Sequence, residues 1–202
     1  MFGAFSAFWT TLVFLLGSPH YRLGAGIAGS FGVLGAIGAS VAPIAGRLSD
    51  RHGSRWVISG ALGLLIASFG VVWAAGYHMA GLIIGVLMMD AGAQASQVGN
   101  QTRIFSLAHF PGTAYNARSR INTVYMTVYF TFGAIGSLLS AYAWERWEWP
   151  GVCVLALGML ALAALRHSTG TRRLPGDLAG KLPIGLPEAD IDEAFREEAV
   201  GS

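Results

Sequence analysis

Six stretches of this chain are apolar over nearly the length a helix needs to cross a lipid bilayer. At 1.5 Å rise per residue, about 20 apolar residues cover the roughly 30 Å hydrocarbon layer. The candidates lie near 2–17, 23–46, 56–76, 79–100, 121–144 and 149–165 of the 202 residues. Only 12% of the residues are charged, against about 25% in an ordinary soluble domain. The mean hydropathy is +0.53. A soluble fold of this size has too little interior to hide that much apolar surface. The 28 glycines keep no strict three-residue period, which excludes a collagen-like chain, and 53% hydrophobic residues exclude disorder. Cys153 is the single cysteine, so no disulfide scaffold is available. The expected fold class is all-α: a polytopic membrane protein with six transmembrane helices in residues 1–168.

The boundaries have local signals. Residues 56–89 carry no charge apart from neutral His78, and Ala74-Ala75-Gly76-Tyr77-His78 supplies the break between the third and fourth spans. Trp144, Trp147 and Trp149 bracket the turn between the fifth and sixth and predict an aromatic belt. Arg47, Arg51, Arg55, Arg103, Arg118, Arg120, Arg166, Arg172 and Arg173 fall at one set of helix ends, and only Arg22 and Arg146 at the other. The positive-inside rule puts the first set, and with it the C-terminus, in the cytoplasm of a multi-pass inner (plasma) membrane protein.

The first span is short, reaching only about 24 Å as a helix. It lacks a basic n-region, and Leu15-Leu16-Gly17-Ser18-Pro19 is a poor cleavage site, which argues against a signal peptide. The expectation is a helix that begins upstream of Met1. Residues 169–202 read as a polar cytoplasmic tail, with Pro175, Pro183 and Pro187, an acidic run and one short helix at 188–199.

Between the second and third spans stands Gly46-Arg47-Leu48-Ser49-Asp50-Arg51-His52-Gly53-Ser54-Arg55. Gly46 suits close helix approach, and Gly53 suits a tight turn. Asp50 precedes the third helix, where a carboxylate caps free amides, while Arg51 and Arg55 hold the loop inside and suit acidic partners. This G-x-x-x-D-R-x-G-x-R pattern resembles the signature loop of the major facilitator superfamily, departing at Ser54, where the family often has a second basic residue. The resemblance covers residues 2–168 and implies one six-helix half of a transporter fold that usually has two. It implies a gating role for Gly46, Asp50, Arg51, Gly53 and Arg55. The fourth span has no Arg between Ala80 and Asn100, and Gly133-Ala134-Ile135-Gly136-Ser137 lacks the Gly-Pro element of antiporter first halves. Asn100-Gln101-Thr102-Arg103-Ile104 and Asn122-Thr123-Val124-Tyr125-Met126 are similar to the second half of bacterial arabinose-efflux and drug:proton antiporter permeases.

Asp90 is the one charged residue near the middle of a span. A carboxylate there costs about 2.5–3.5 kcal/mol on insertion scales, so it must face a polar interior or carry a proton. Gln94, Gln97 and Gln101 follow at helical spacing, all within roughly 60° of it at about 100° per residue. These four are candidates for proton coupling or substrate contact; a helix-packing network is the alternative. The fifth span places Asn122, Tyr125, Tyr129, Gly133, Gly136 and Ser140 on one face. Tyr125 and Tyr129 suit stacking on a substrate, or packing with the two glycines as the close-approach surface. The resemblance makes the first span cavity-lining, which singles out Ser6, Trp9, Thr10 and Thr11. Gly26, Gly29, Gly32, Gly35 and Gly38 predict a second span pressed tightly on a neighbour, with Pro43 bending its end.

No enzyme signature is present. The histidines lie at helix ends or in loops, no ligand cluster has metal spacing, and there is no phosphate-binding Gly-Lys-Ser/Thr loop. No cofactor is expected, and the inner arginines follow topology rather than nucleic-acid binding. The leading expectation is the C-terminal half of a secondary-active exporter, moving a small organic solute against protons by alternating access. Its partners are the bilayer, the solute and an N-terminal six-helix half, on the same or a separate chain. The alternative is a stand-alone six-helix protein, either a non-transporting remnant or a dimer of halves formed with itself or another chain.

Overall fold

The computed structural model describes residues 1–23, 25–107 and 115–170. They form six helices in chain order: α1 (Phe2–Gly17), α2 (Ala25–Ala39), α3 (Ala42–His52), α4 (Ser54–Ala75), α5 (Met79–Leu107) and α6 (Tyr115–Gly170). The chain divides into two compact units, Met1–His167 and Ser168–Ser202. The first carries the architecture below. The expected tail helix at 188–199 lies outside the described residues, as do Arg172, Arg173 and His109.

Four helical stretches are long and apolar enough to cross a membrane: Gly26–His52, Ser54–Ala75, Met79–Phe105 and Ser119–Thr169. Phe2–Gly17 is a shorter apolar helix. The protein is therefore a helical, polytopic membrane protein. The last stretch, 51 residues long, is not one straight rod. Glu148 has φ 51° and ψ −145° inside α6, and Pro150 follows it. Pro has no N–H to give and crowds the preceding turn, so the helix divides into arms at 115–147 and 149–170.

The second expected span, 23–46, falls largely within one candidate crossing, Gly26–His52. It is two helices that step at Ser40–Val41, and the second runs on to His52. Pro43 sits in the first turn of α3, where a missing N–H costs nothing, so it starts a helix rather than bending one. The Ser40 hydroxyl donates to the Ile37 carbonyl at 2.6 Å, closing the end of α2. Gly53 then joins α3 to α4 at φ 86° and ψ 146°, a conformation essentially reserved for glycine. The expected cap by Asp50 is also corrected. Asp50 lies in the last turns of α3, and the first turn of α4 has no side-chain cap.

α1 is the central helix. Ala4, Ala7, Phe8, Leu12, Leu15 and Leu16 are buried, and the Phe8 ring meets Phe69 of α4 and Trp149 of α6 edge-on at 6.4 and 5.7 Å. Of the three expected belt tryptophans only Trp147 is mostly exposed, at 63%. Trp149, 1% exposed, is a core residue whose indole N–H donates to the Val72 carbonyl at 2.9 Å. One ring placed against the core satisfies a backbone acceptor that lipid cannot.

Close approach is made by glycines, but not all those expected. A side chain at Gly26, Gly29 or Gly32 would meet nothing within 4 Å. The tight contacts lie elsewhere. A Cβ on Gly136 of α6 would collide with the backbone of Gly3 in α1, and one on Gly133 would meet the Phe2 ring and, at 3.0 Å, the Ser6 hydroxyl. Without a hydrophobic drive between helices in lipid, such backbone-close packing is a main source of association. Gly136→Ala is expected to destabilise the fold by about 1–3 kcal/mol through overpacking, whereas Gly29→Ala stays neutral or gains up to about 1 kcal/mol in helix propensity. Thermal denaturation of both variants in mild detergent measures the contrast.

Candidate functional site

The arrangement with chemical potential is centred on Asp90 of α5. Eleven residues after Met79, it sits about 16 Å along the helix, near mid-membrane depth. It is 4% exposed. α2 covers it with two glycines: a Cβ on Gly35 would lie 3.5 Å from Oδ1, and a Cβ on Gly38 would overlap Asp90's own Cβ. The Trp9 indole of α1 stands beside the carboxylate, yet neither Trp9 Nε1 nor Asp90 Oδ2 completes a hydrogen bond among the described residues. A buried carboxylate with an oxygen unspent is costly. It is a group able to exchange a proton or receive a cationic one.

The rest of the α5 stripe lies in the same interior. Gln94, Gln97 and Gln101 are half-buried. Tyr129 of α6 donates to Gln97 Oε1 at 3.4 Å, a long bond. The Tyr129 ring stacks on Phe2 of α1, with centroids 3.8 Å apart and planes 17° from parallel. Tyr125 is tilted against Tyr129 at 5.7 Å, and its buried hydroxyl has no hydrogen-bond partner among the described residues. Asn122 is half-buried on the same face of α6. The structure thus brings Gln97, Tyr125 and Tyr129 together, and Asp90 with Trp9.

The other α1 residues divide. Thr10 donates to Ser137 of α6 at 2.8 Å, tying the two helices. Ser6 lies against the bare face of Gly133. Thr11 is fully buried, and its hydroxyl is spent on the Ala7 and Phe8 carbonyls of its own helix, so it is core packing. Gly46 makes no tight contact, since its Cβ would reach only Val98 at 4.0 Å. Asp50, Arg51, Gly53 and Arg55 are exposed at the α3–α4 joint, far along the chain from Asp90. Arg51 and His52 close α3, where positive charge suits the helix dipole.

Sequence reasoning missed the glycine lid as part of the site. It assigned Gly35 and Gly38 to packing in general, and only the register of α2 against α5 selects which two of the five meet Asp90. It also missed Ser137, and the hydroxyl of Ser96, which donates to Met1 Sδ at 2.8 Å and accepts from Asn100 at 3.4 Å. Among the described residues no group of three His, Cys, Asp or Glu side chains is placed to hold a metal ion.

Comparison with known proteins gives homologues named as transporters. The chain is 37% identical over 163 residues to the probable transporter SCO4007 of Streptomyces coelicolor, covering 80% of this chain and 36% of that one. It is 39% identical over 164 residues to the uncharacterized transporter YgaY of Escherichia coli O157:H7, covering 81% and 40%. The chain thus spans about two-fifths of the length of the curated relatives it matches. No family model matches it, and no solved structure does.

The glycine lid makes a specific expectation. Gly38→Ala forces α2 away from α5 and admits solvent to Asp90, so the rate at which a hydrophobic carbodiimide modifies Asp90 rises several-fold. Gly26→Ala, in open space, leaves that rate unchanged. Peptide mapping of the modified carboxylate reads both.

Proposed function

We propose that this chain is a six-pass half of a secondary-active membrane transporter, of the kind the α3–α4 loop motif resembles in the major facilitator superfamily. Its place is the C-terminal half, and its activity is proton-coupled efflux of a small organic solute by alternating access. The similarity to proteins named as transporters supports the coarse reading, and their greater length accommodates a second half. The division of α6 at Glu148 supports six crossings, with α1, α2–α3, α4, α5 and the two arms of α6 each passing once. On this reading the broad apolar faces left open by α2–α3 (Val33, Ile37, Ile44) and by the first arm of α6 (Phe130, Phe132, Leu138) meet lipid or the partner half. The inner membrane and a cytoplasmic C-terminus follow from the arginine asymmetry.

The single observation that carries the chemistry is Asp90: a carboxylate near mid-membrane depth, enclosed, with one oxygen unpaired among the described residues. Such a group is expensive unless it works, and coupling by protonation is the use that fits. Gln97, Tyr125 and Tyr129 then line the solute path, and the Gly53 joint with Asp50, Arg51 and Arg55 forms the cytoplasmic gate.

Asp90→Asn keeps shape and removes the titration. In proteoliposomes of the full-length transporter, with a pH gradient imposed, solutes from an organic-solute panel that move in the native protein are expected to lose gradient-driven movement in the variant by at least ~100-fold, while insertion and thermal stability persist. Gradient-driven transport that survives Asp90→Asn takes the residue out of coupling.

A further inference from the structure

A cavity stands at the opposite end of the bundle from the Gly53 joint. It measures about 690 Å³ and is bounded by the end of α1, the α1–α2 loop, the α4–α5 turn and the break in α6. Its walls are aromatic: Phe14 and Trp144 face each other at 5.9 Å, and His20 meets Tyr77 at 5.0 Å. The acid in the lining is Glu148, held at φ 51° by the break in α6. A non-glycine residue is strained in such a backbone, and here that backbone lets Glu148 line the cavity. Burial first, and then the nearby Glu148 carboxylate, raise the Tyr77 phenol above its ordinary range. The His20 ring is fixed on the wall, its Nε2–H donating to the Tyr77 carbonyl at 2.7 Å. Tyr21 donates to the Gly76 carbonyl at 2.7 Å, so the loop and turn that form the walls are pinned to each other before any ligand arrives.

We propose that this cavity binds an organic cation. Aromatic faces attract a cation through their quadrupoles, and a single carboxylate supplies the counter-charge; together they select a bulky, weakly hydrated ammonium over a neutral molecule of equal size. A volume near 690 Å³ admits a drug-sized ion. The site is separate from Asp90 in sequence and in depth, and stands whether or not Asp90 couples protons.

The test is calorimetric titration of the full-length protein in mild detergent with benzyltrimethylammonium, and with neopentylbenzene as its neutral isostere. The cation is expected to bind at least tenfold more tightly than the isostere. Glu148→Gln is expected to cost several-fold in affinity for the cation, and Trp144→Leu a similar factor, as cation–π and charge contacts at a solvent-open site do. Glu148→Asp retains most of the affinity, showing that loss in the glutamine variant is loss of charge and not of fold. Glu145→Gln, outside the cavity, and Asp90→Asn leave it unchanged. Equal binding of cation and isostere, or full affinity in Glu148→Gln, overturns the proposal. Loss of binding in Asp90→Asn with full affinity in Glu148→Gln moves the cation to the α5 site and overturns it equally.

Discussion

Enclosing one carboxylate sets the terms for the packing of this protein. Asp90 stands on a helix long and apolar enough to cross the bilayer, and hydrocarbon offers it neither water nor a counter-ion. Protein must therefore cover it, and cover it closely. α2 does so with Gly35 and Gly38, whose missing side chains let helix backbone come within contact of the carboxylate and its Cβ. That approach fixes the register of α2 on α5. The Ser40–Val41 step then allows the chain to set off again as α3 in a new segment, with Pro43 in its first turn, before Gly53 returns it into α4.

The central place of α1 answers the same demand from another side. Its apolar residues Phe8, Leu12 and Leu15 fill the core, while the Trp9 indole stands beside Asp90 and Thr10 donates to Ser137. Gly3 and Gly136 allow α1 and α6 to touch through backbone. One short helix thus carries both the apolar packing and the polar links of the bundle. Thr10 is satisfied across to α6 and Thr11 within its own helix, both away from lipid-facing backbone.

Much of this was legible in the sequence, because the bilayer imposes a length and a cost that leave marks in the residues. The apolar runs marked the helices, the Ala74–His78 break fell where α4 gives way to α5, and the price of a mid-span carboxylate put Asp90 inside. What failed to show was register. Five glycines at three-residue spacing look alike in sequence, yet only two meet Asp90 and three face open space. Thr11 and Trp149 read as polar or interfacial by type, but each satisfies its donor on a backbone carbonyl and becomes core. Asp50 resembled a cap because the helix boundary was drawn at 46; α3 continues to His52, so the carboxylate lies inside a helix with no free amides to meet. Spacing gives the face a residue occupies. It does not give the neighbour on that face.

The two ends of the bundle are built by different means, and this bears on motion. At the Tyr77 end, Tyr21 to Gly76, His20 to Tyr77 and Trp149 to Val72 are hydrogen bonds from ring donors to carbonyls, joining α6 to α4 and the α1–α2 loop to the α4–α5 turn. Rings fixed on backbone acceptors lose little side-chain entropy and resist sliding. At the other end, α3 and α4 meet through a single glycine in a conformation other residues avoid, with exposed charges on both sides. On the proposed transport reading, the bundle therefore has one pinned end and one jointed end. A change of charge at Asp90 acts on α2 through Gly35 and Gly38, and α2 leads through the Ser40–Val41 step and α3 directly into that joint. On that reading the carboxylate and the proposed gate are linked by two short helices in series, α2 and α3.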